Sequence, residues 1–179
     1  MVGSYTPIAQ ILQHTIRRAC RIVDFTGDVS DDDISAIMNA VKNLEARPGH
    51  KEYYDRLRDA GWDVYAITNG GRETSLAYYK QAGVQLDQQH CLSYDDLRKA
   101  KPEFKVYENA SRTVAAAGCT GHQRYFVAAH AWDLVAARTA GFKTAYVDYE
   151  EHDPVTDVFG EFDIYASTMI ELLEKLKAL

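Results

Sequence analysis

The chain has 179 residues, of which 46% are hydrophobic and 26% are charged, so it suits one ordinary domain with a small appendage and excludes a long multidomain enzyme. No apolar run approaches the roughly 20 residues of a membrane helix, and the first residues lack the pattern of a signal peptide. The formal net charge of -6, without a basic cluster carrying interleaved aromatic residues, argues against a nucleic-acid partner. We therefore expect a cytoplasmic protein that binds neither membranes nor nucleic acid.

The first part of the chain is predicted to be helical. Apolar residues recur every three or four positions over residues 6–20, which indicates an amphipathic helix with Pro7 in its first turn. A second helix is predicted to begin after Ser30, because the Ser30 hydroxyl and the Asp33 carboxylate have the spacing of a reciprocal helix cap. Residues 1–47 are therefore interpreted as one helical region.

From residue 48 onward, helices and short apolar runs alternate, which predicts parallel strands joined by right-handed helical crossovers. The predicted strands are 62–67, 90–92, 125–129, 143–147 and 162–165. The predicted helices are 51–60, 72–82, 103–117, 132–140 and a closing helix that includes 169–176, and a further helix cap is predicted at Ser93 and Asp96. Residues 48–179 are thus predicted to form an α/β core in which a Rossmann-like parallel sheet is flanked by helices.

Three loops are the candidates for a functional site, because ligands of open parallel sheets bind beyond the carboxyl ends of the strands. The loops are 68–71, 100–102 and 128–133. In the first loop, Thr68 supplies a hydroxyl. Gly70, which follows Asn69, allows backbone amides to approach an anion at the start of a helix. We expect this loop to bind the anionic part of a substrate.

The other two loops carry groups suited to charge stabilisation and proton transfer. Lys101 is a compact cation, and Asp133, at a helix start, is a carboxylate that can pair with it. Histidine exchanges protons near neutral pH, which makes His130 a candidate acid or base. Trp132 either walls a binding pocket or packs against the helix start, and the sequence leaves both interpretations open.

These segments resemble known motifs. The residues AITNGG (66–71), Lys101-Pro102 followed by Tyr107, and FVAAHAWD (126–133) followed by ARTAGF (137–142) resemble the second, third and fourth motifs of the haloacid dehalogenase superfamily. They are most similar to its 2-haloacid dehalogenase-type branch, and the resemblance covers about residues 46–147. It implies the parallel sheet of that superfamily and a helical, cap-like role for residues 1–47.

The resemblance also implies roles for the candidate residues. Thr68 and Asn69 would hold the carboxylate or phosphate of a substrate, Lys101 would neutralise the nucleophile and the developing charge, and Asp133 would orient Lys101 or a water. The family's dehalogenases carry Ser and Asn where this chain has Ala128 and His130, so the hydrogen bonds to a hydrolytic water are altered. Magnesium-dependent relatives use more acidic residues than Asp133 alone, so we expect no complete Mg²⁺ site.

The family's first motif, an apolar strand that ends in a nucleophilic Asp, is not evident in this sequence. A local candidate is Asp24 in RIVDFTGDV (21–29), where an apolar run precedes Asp24 and Gly27 follows three residues later. The second interpretation aligns residues 5–44 with the helical cap, which leaves no nucleophile strand. We favour the second interpretation, because the first helix is predicted to run into the apolar residues before Asp24.

The functional expectation follows from these residues. Hydrolysis through a covalent intermediate requires a carboxylate nucleophile, whereas Lys101, His130 and Asp133 suit acid–base chemistry of the lyase, dehydratase or cyclase type on a small carboxylated or phosphorylated molecule. The alternatives are a catalytically inactive binding or scaffolding protein and a compact-cap hydrolase with Asp24 as nucleophile. A homodimer formed through the N-terminal helices is also predicted.

Overall fold

The computed structural model describes residues 5–119 and 123–179. The helices are α1 (Ile8–Ile22), α2 (Asp31–Val41), α3 (His50–Asp59), α4 (Arg72–Gln81), α5 (Phe104–Ala116), α6 (Ala131–Thr139), α7 (Thr156–Phe159) and α8 (Met169–Lys177). The strands are β1 (Ala66–Thr68), β2 (Cys91–Ser93), β3 (Tyr125–Ala128), β4 (Lys143–Val147) and β5 (Ile164–Ala166). No helix in the described part of the chain is long and apolar enough to cross a membrane.

The chain divides into two compact units. Unit 1 comprises the described residues up to Ala46 together with residues 66–98, and unit 2 comprises residues 47–65 and 99–179. The boundary expected after residue 47 lies close to the first crossing between the units, but residues 66–98 group with the N-terminal helices. The cap-like role of residues 1–47 stays a prediction.

Unit 1 contains helices α1, α2 and α4 and a two-stranded parallel sheet. The predicted cap of α2 is confirmed, because the Ser30 hydroxyl accepts a hydrogen bond from the Asp33 amide at 3.1 Å and the Asp33 carboxylate accepts one from the Ser30 amide at 2.9 Å. Strands β1 and β2 pair in register from Ala66 with Cys91 to Thr68 with Ser93. Helix α4 follows β1 after a short loop, so that loop lies at the carboxyl end of the sheet.

Two sequence predictions fail near these strands. The strand expected over 62–67 begins only at Ala66, because the Trp62 amide donates to the Leu57 carbonyl and thereby completes the end of α3. The cap expected at Ser93 and Asp96 does not form, because the Ser93 hydroxyl donates to the Gly70 carbonyl at 2.8 Å. The Asp96 carboxylate instead accepts from the guanidinium of Arg72 at 2.8 Å.

Unit 2 contains a three-stranded parallel sheet in the order β3-β4-β5, and β4 is the central strand. Register runs from Tyr125 paired with Lys143 to Ala128 paired with Tyr146. Helix α6 packs on β3 and β4, α8 packs on β4 and β5, α5 packs on α6, and α3 packs on α8. Apolar side chains from these elements form the core, which includes Val106, Leu134, Ala145, Leu172 and Leu173.

The α/β class with parallel sheets flanked by helices is confirmed. Strand β4 has the predicted bounds, and β3 and helices α3, α5, α6 and α8 of unit 2 differ from prediction by one or two residues at their ends, whereas the short helix α7 was not predicted. Among the described residues, β1 pairs with β2 alone and β3 pairs with β4 alone. The described parallel strands therefore form two separate hydrogen-bonded sheets, one in each unit.

Candidate functional site

A buried ion pair lies at the start of α6 in unit 2. The Lys101 ammonium donates to Oδ2 of Asp133 at 2.7 Å, and the side chains of Lys101 and Asp133 are only 15% and 5% exposed. The hydroxyl of Tyr107, which is fully buried, donates to the other carboxylate oxygen of Asp133. Both oxygens of the buried carboxylate are therefore bonded, as a desolvated charge requires.

The local sequence explains this arrangement. Asp133 lies in the first turn of α6, where the helix dipole favours a negative charge. Tyr107 lies on the buried face of α5, the helix that packs on α6, and its ring lies 5.5 Å from the ring of Phe126 on β3. Lys101 lies in the turn before α5, and its ammonium is 5.8 Å from the centre of the Phe126 ring. The cation is thus held between a carboxylate and an aromatic face.

His130 is the residue immediately before α6, and its imidazole is half-exposed. The Nδ1 atom of His130 lies 3.2 Å from Oε1 of Glu151, and Oε2 of Glu151 accepts a hydrogen bond from the Ala131 amide at 2.9 Å. Trp132 stacks on the imidazole with ring centres 5.7 Å apart and planes 15° apart. Trp132 therefore packs at the helix start, while a contact with substrate stays a prediction.

Glu151 and the hydroxyl of Tyr107 are the features that the sequence analysis did not assign to the site. The sequence places Tyr107 only within a motif, and it carries no motif that includes Glu151. The available signal for Glu151 is its position after β4, the strand beside β3, since the carboxyl ends of adjacent parallel strands meet at one edge. Lys101, Asp133 and His130 lie in the same unit as these two residues.

The loop after β1 belongs to unit 1. The Thr68 hydroxyl accepts a hydrogen bond from the Gly70 amide at 2.9 Å, so it closes the turn that contains Asn69. A Cβ atom at position 70 would lie 3.3 Å from the Thr68 hydroxyl oxygen, which is a tight contact. Gly71 precedes α4 without a side-chain cap, so the first amides of α4 are not bonded by the capping residue's side chain.

Asp24 does not follow a strand. Helix α1 extends to Ile22, and the amides of Asp24 and Phe25 donate to the carbonyls of Arg21 and Cys20, which is the hydrogen-bond pattern of a Schellman helix end. Asp24 adopts the left-handed conformation that this motif requires, with φ of 56°. The apolar run considered as a nucleophile strand is therefore the last turn of a helix.

The donor set does not fit a divalent metal. Both carboxylate oxygens of Asp133 are occupied by Lys101 and Tyr107, and an adjacent ammonium disfavours a cation. Within residues 5–119 and 123–179, no group of three His, Cys, Asp or Glu side chains is arranged to hold a metal ion. We therefore assign no chemical step to a metal at this site.

The fold is that of a family that the chain matches directly. Residues 7–147 match the model of the family described as haloacid dehalogenase-like hydrolase, and the chain belongs to this family. The match includes the loops of both units that carry the candidate site residues. Its curated relatives include dehalogenases of the 2-haloacid type.

Among curated relatives, (S)-2-haloacid dehalogenase 4A of Burkholderia cepacia is 32% identical over 118 residues, which are 66% of this chain and 50% of the relative. The (S)-2-haloacid dehalogenase of Pseudomonas sp. (strain YL) is 26% identical over 148 residues, 83% of this chain and 62% of the relative. The chain thus spans between half and two thirds of these relatives.

Solved structures show the same fold. A crystal structure described as that of a dehalogenase superposes with a TM-score of 0.81 at 27% identity, and the match covers 97% of this chain and 74% of that one. The L-2-haloacid dehalogenase of Xanthobacter autotrophicus superposes with a TM-score of 0.76 at 18% identity, over 98% of this chain and 78% of that one. The second similarity is one of fold alone.

Proposed function

We propose that this protein acts on a small carboxylated or phosphorylated molecule by acid–base chemistry that uses Lys101, His130 and Asp133. The observation that carries the proposal is the buried pair of Lys101 and Asp133, with Tyr107 on the second carboxylate oxygen. A buried ion pair is a poor source of stability, because desolvation offsets much of the attraction between the charges. Its presence beside a half-exposed histidine at a strand end is better explained by function.

Each residue has a role that its surroundings support. The Lys101 ammonium binds the anionic group of the substrate and stabilises negative charge that develops during the reaction. Asp133 is a positioning residue, because its carboxylate accepts from Lys101 and from Tyr107 and so fixes the ammonium. His130 exchanges the proton, since it carries the exposed imidazole at the start of α6.

The remaining substrate-binding residues are proposed from their loops. Thr68, Asn69 and Gly70 present backbone and side-chain donors before α4, a helix start that favours an anion. Trp132 contributes an aromatic surface stacked on His130. The three loop residues would bind an anionic group, and Trp132 would contact an apolar part of a substrate.

Hydrolytic dehalogenation is the second candidate, favoured by the (S)-2-haloacid dehalogenases among the relatives. It requires a carboxylate nucleophile in the reaction centre. Asp133 is bonded to Lys101 and Tyr107, and Asp24 ends helix α1, so neither has the setting of such a nucleophile. We therefore rank proton-transfer chemistry first and hydrolysis second.

A homodimer is proposed through the N-terminal helices. Helix α1 buries none of its residues, and the side chains of Ile8, Ile11 and Leu12 are about two fifths exposed along one face. Exposed apolar side chains along one face of a helix are a common feature of association surfaces. Light scattering on the purified protein measures this state directly, and a monomer at high concentration would contradict the proposal.

The catalytic proposal is tested by following proton exchange in D₂O. The unmodified protein is incubated with lactate and with (S)-2-chloropropionate, and ¹H NMR records deuterium incorporation next to the carboxylate and the products formed. We expect exchange or elimination that falls by about 10²- to 10⁴-fold in His130→Ala, the usual contribution of a general acid or base. The matched control is His14→Ala, which removes an exposed histidine of α1.

The outcomes separate the candidate functions. Conversion of (S)-2-chloropropionate to chloride and 2-hydroxypropionate that persists in His130→Ala would contradict the proposal and support hydrolysis. Loss of that conversion in Asp24→Asn would identify the compact-cap hydrolase. Saturable binding of the acids with neither exchange nor product would support an inactive binding protein.

A further inference from the structure

We propose that Glu151 is a positioning residue that fixes the tautomer of His130, so that Nε2 is the ring atom available to accept a proton. The proposal rests on the proposed function only for its catalytic consequence, since the tautomer is a property of the free protein. It assigns a role in the site to the loop after β4, which the resemblance to known motifs leaves without one.

The geometry is that of a carboxylate shared between two consecutive residues. Oε2 of Glu151 accepts from the Ala131 amide at 2.9 Å, and Oε1 lies 3.2 Å from Nδ1 of His130. The Glu151 side chain is 28% exposed, so water competes only in part for these contacts. The carboxylate therefore bridges the side chain that precedes α6 and the first amide of the helix.

The neighbours of Glu151 have other partners, which makes the contact specific. Glu150 pairs with the guanidinium of Arg47, and His152 lies 3.2 Å from the carboxylate of Asp148. Glu151 is thus the loop carboxylate that the structure directs at His130.

The chemistry of the two groups determines the tautomer. An ionised carboxylate accepts hydrogen bonds and cannot donate, so Nδ1 of His130 carries the hydrogen in this contact. A neutral imidazole has a single N–H, and Nε2 therefore keeps its lone pair. Trp132 stacks on the ring at 5.7 Å and restricts its rotation, so the lone pair is held in one direction.

The same carboxylate favours the reaction that the proposed function requires. When Nε2 accepts a proton, the imidazole becomes a cation whose opposite edge already faces the Glu151 carboxylate. An opposite charge at hydrogen-bond distance stabilises that cation. Glu151 would thus act on catalysis through His130, without a contact to substrate.

The competing explanation is that Glu151 only caps α6. His130 provides no side-chain cap of its own, and Glu151 accepts a hydrogen bond from the first helical amide. Glu151→Gln separates the two explanations. The amide oxygen of Gln still accepts from Ala131, whereas its NH₂ group faces Nδ1 and requires Nδ1 to be the acceptor.

The experiment is histidine NMR on the full chain. Long-range ¹H–¹⁵N spectra are recorded with ¹⁵N-histidine at a pH where imidazole is neutral, and the His130 signals are assigned by their loss in His130→Ala. We expect Nδ1 to be protonated in the unmodified protein and Nε2 to be protonated in Glu151→Gln. Glu150→Gln is the matched control and should leave the tautomer unchanged.

Either of two results would overturn the proposal. Protonation at Nε2 in the unmodified protein is one, and it does not depend on Glu151→Gln, so it holds even if that variant fails to fold. The same tautomer in the unmodified protein and in Glu151→Gln is the other, since it leaves only the capping role.

The catalytic consequence is measured in the same variants. We expect Glu151→Gln to lower kcat for proton exchange by about 10- to 100-fold with KM little changed, part of the contribution of a general base. If His130→Ala also retains full exchange, the proposed function fails while the tautomer result stands. If His130→Ala abolishes exchange and Glu151→Gln does not lower kcat, the positioning role is contradicted.

Discussion

The loop after β1 and the loop after β3 occupy the same topological position in their sheets, but they satisfy their polar groups in different ways. In the first, the Thr68 hydroxyl accepts from Gly70 two residues later, and the more distant contact, from the Ser93 hydroxyl to the Gly70 carbonyl, joins two neutral groups. In the second, Asp133 and His130 meet charged partners 32 and 21 residues away in the chain. A hydrogen bond between residues close in sequence defines a turn, whereas pairs of charged residues that are distant in sequence form only where several helices and strands meet.

This difference assigns different tasks to the two loops. The first loop offers backbone amides before α4, which suit recognition of an anion. The second holds a cation, a carboxylate and an imidazole, which suit charge stabilisation and proton transfer. We therefore propose that the first loop contributes backbone donors to anion recognition, and that the second supplies the Lys101 ammonium for an anionic group together with the groups for proton transfer.

The largest expected effect comes from removing the buried carboxylate of the second loop. Asp133→Ala leaves the Lys101 ammonium and the Tyr107 hydroxyl without this partner inside unit 2. Breaking a buried pair in this way costs about 3–5 kcal/mol, which we expect as a loss in the free energy of unfolding by urea denaturation. The control Asp157→Ala, at an exposed carboxylate in α7, should change it by less than about 0.5 kcal/mol. Equal effects would show that the pair is not buried in solution.

A smaller effect is expected in the first loop. Thr68→Val keeps the shape of the side chain and removes the acceptor for the Gly70 amide. We expect a loss of about 1 kcal/mol in the free energy of unfolding, the usual net contribution of one neutral hydrogen bond. A loss in the free energy of unfolding as large as that of Asp133→Ala would contradict the distinction between a local turn and a buried pair of charged residues.

Local signals predicted much of the fold from the sequence. The cap at Ser30 and Asp33 is a contact between residues three positions apart, and the structure has it. Strand β4 has its predicted bounds because its apolar residues are buried on both faces of the sheet. Such features depend on short-range spacing, which a sequence displays directly.

The errors arise where a side chain that has the spacing of a local motif forms its hydrogen bond with a residue distant in sequence. Ser93 and Asp96 have the spacing of a helix cap, but Gly70 and Arg72 take their hydrogen bonds. The apolar residues before Asp24 suit a strand as well as a helix. They continue the helical spacing of apolar residues in α1, and the helix extends to Ile22. For Glu151 the sequence offers only its position after β4, because its partner His130 lies in the loop after another strand.

The central claim is that Lys101 forms the anion-binding part of the site. The most direct measurement is isothermal titration of the unmodified protein, Lys101→Ala and Lys99→Ala with propionate and with methyl phosphate, after circular dichroism has confirmed that each variant is folded. Lys99 is the matched control, because it is 42% exposed and pairs with Glu103 on the surface. We predict that at least one of the two anions binds saturably to the unmodified protein and to Lys99→Ala, and that this binding weakens by tenfold or more in Lys101→Ala. Equal binding by all three proteins, or no binding of either anion by the unmodified protein, would contradict the claim.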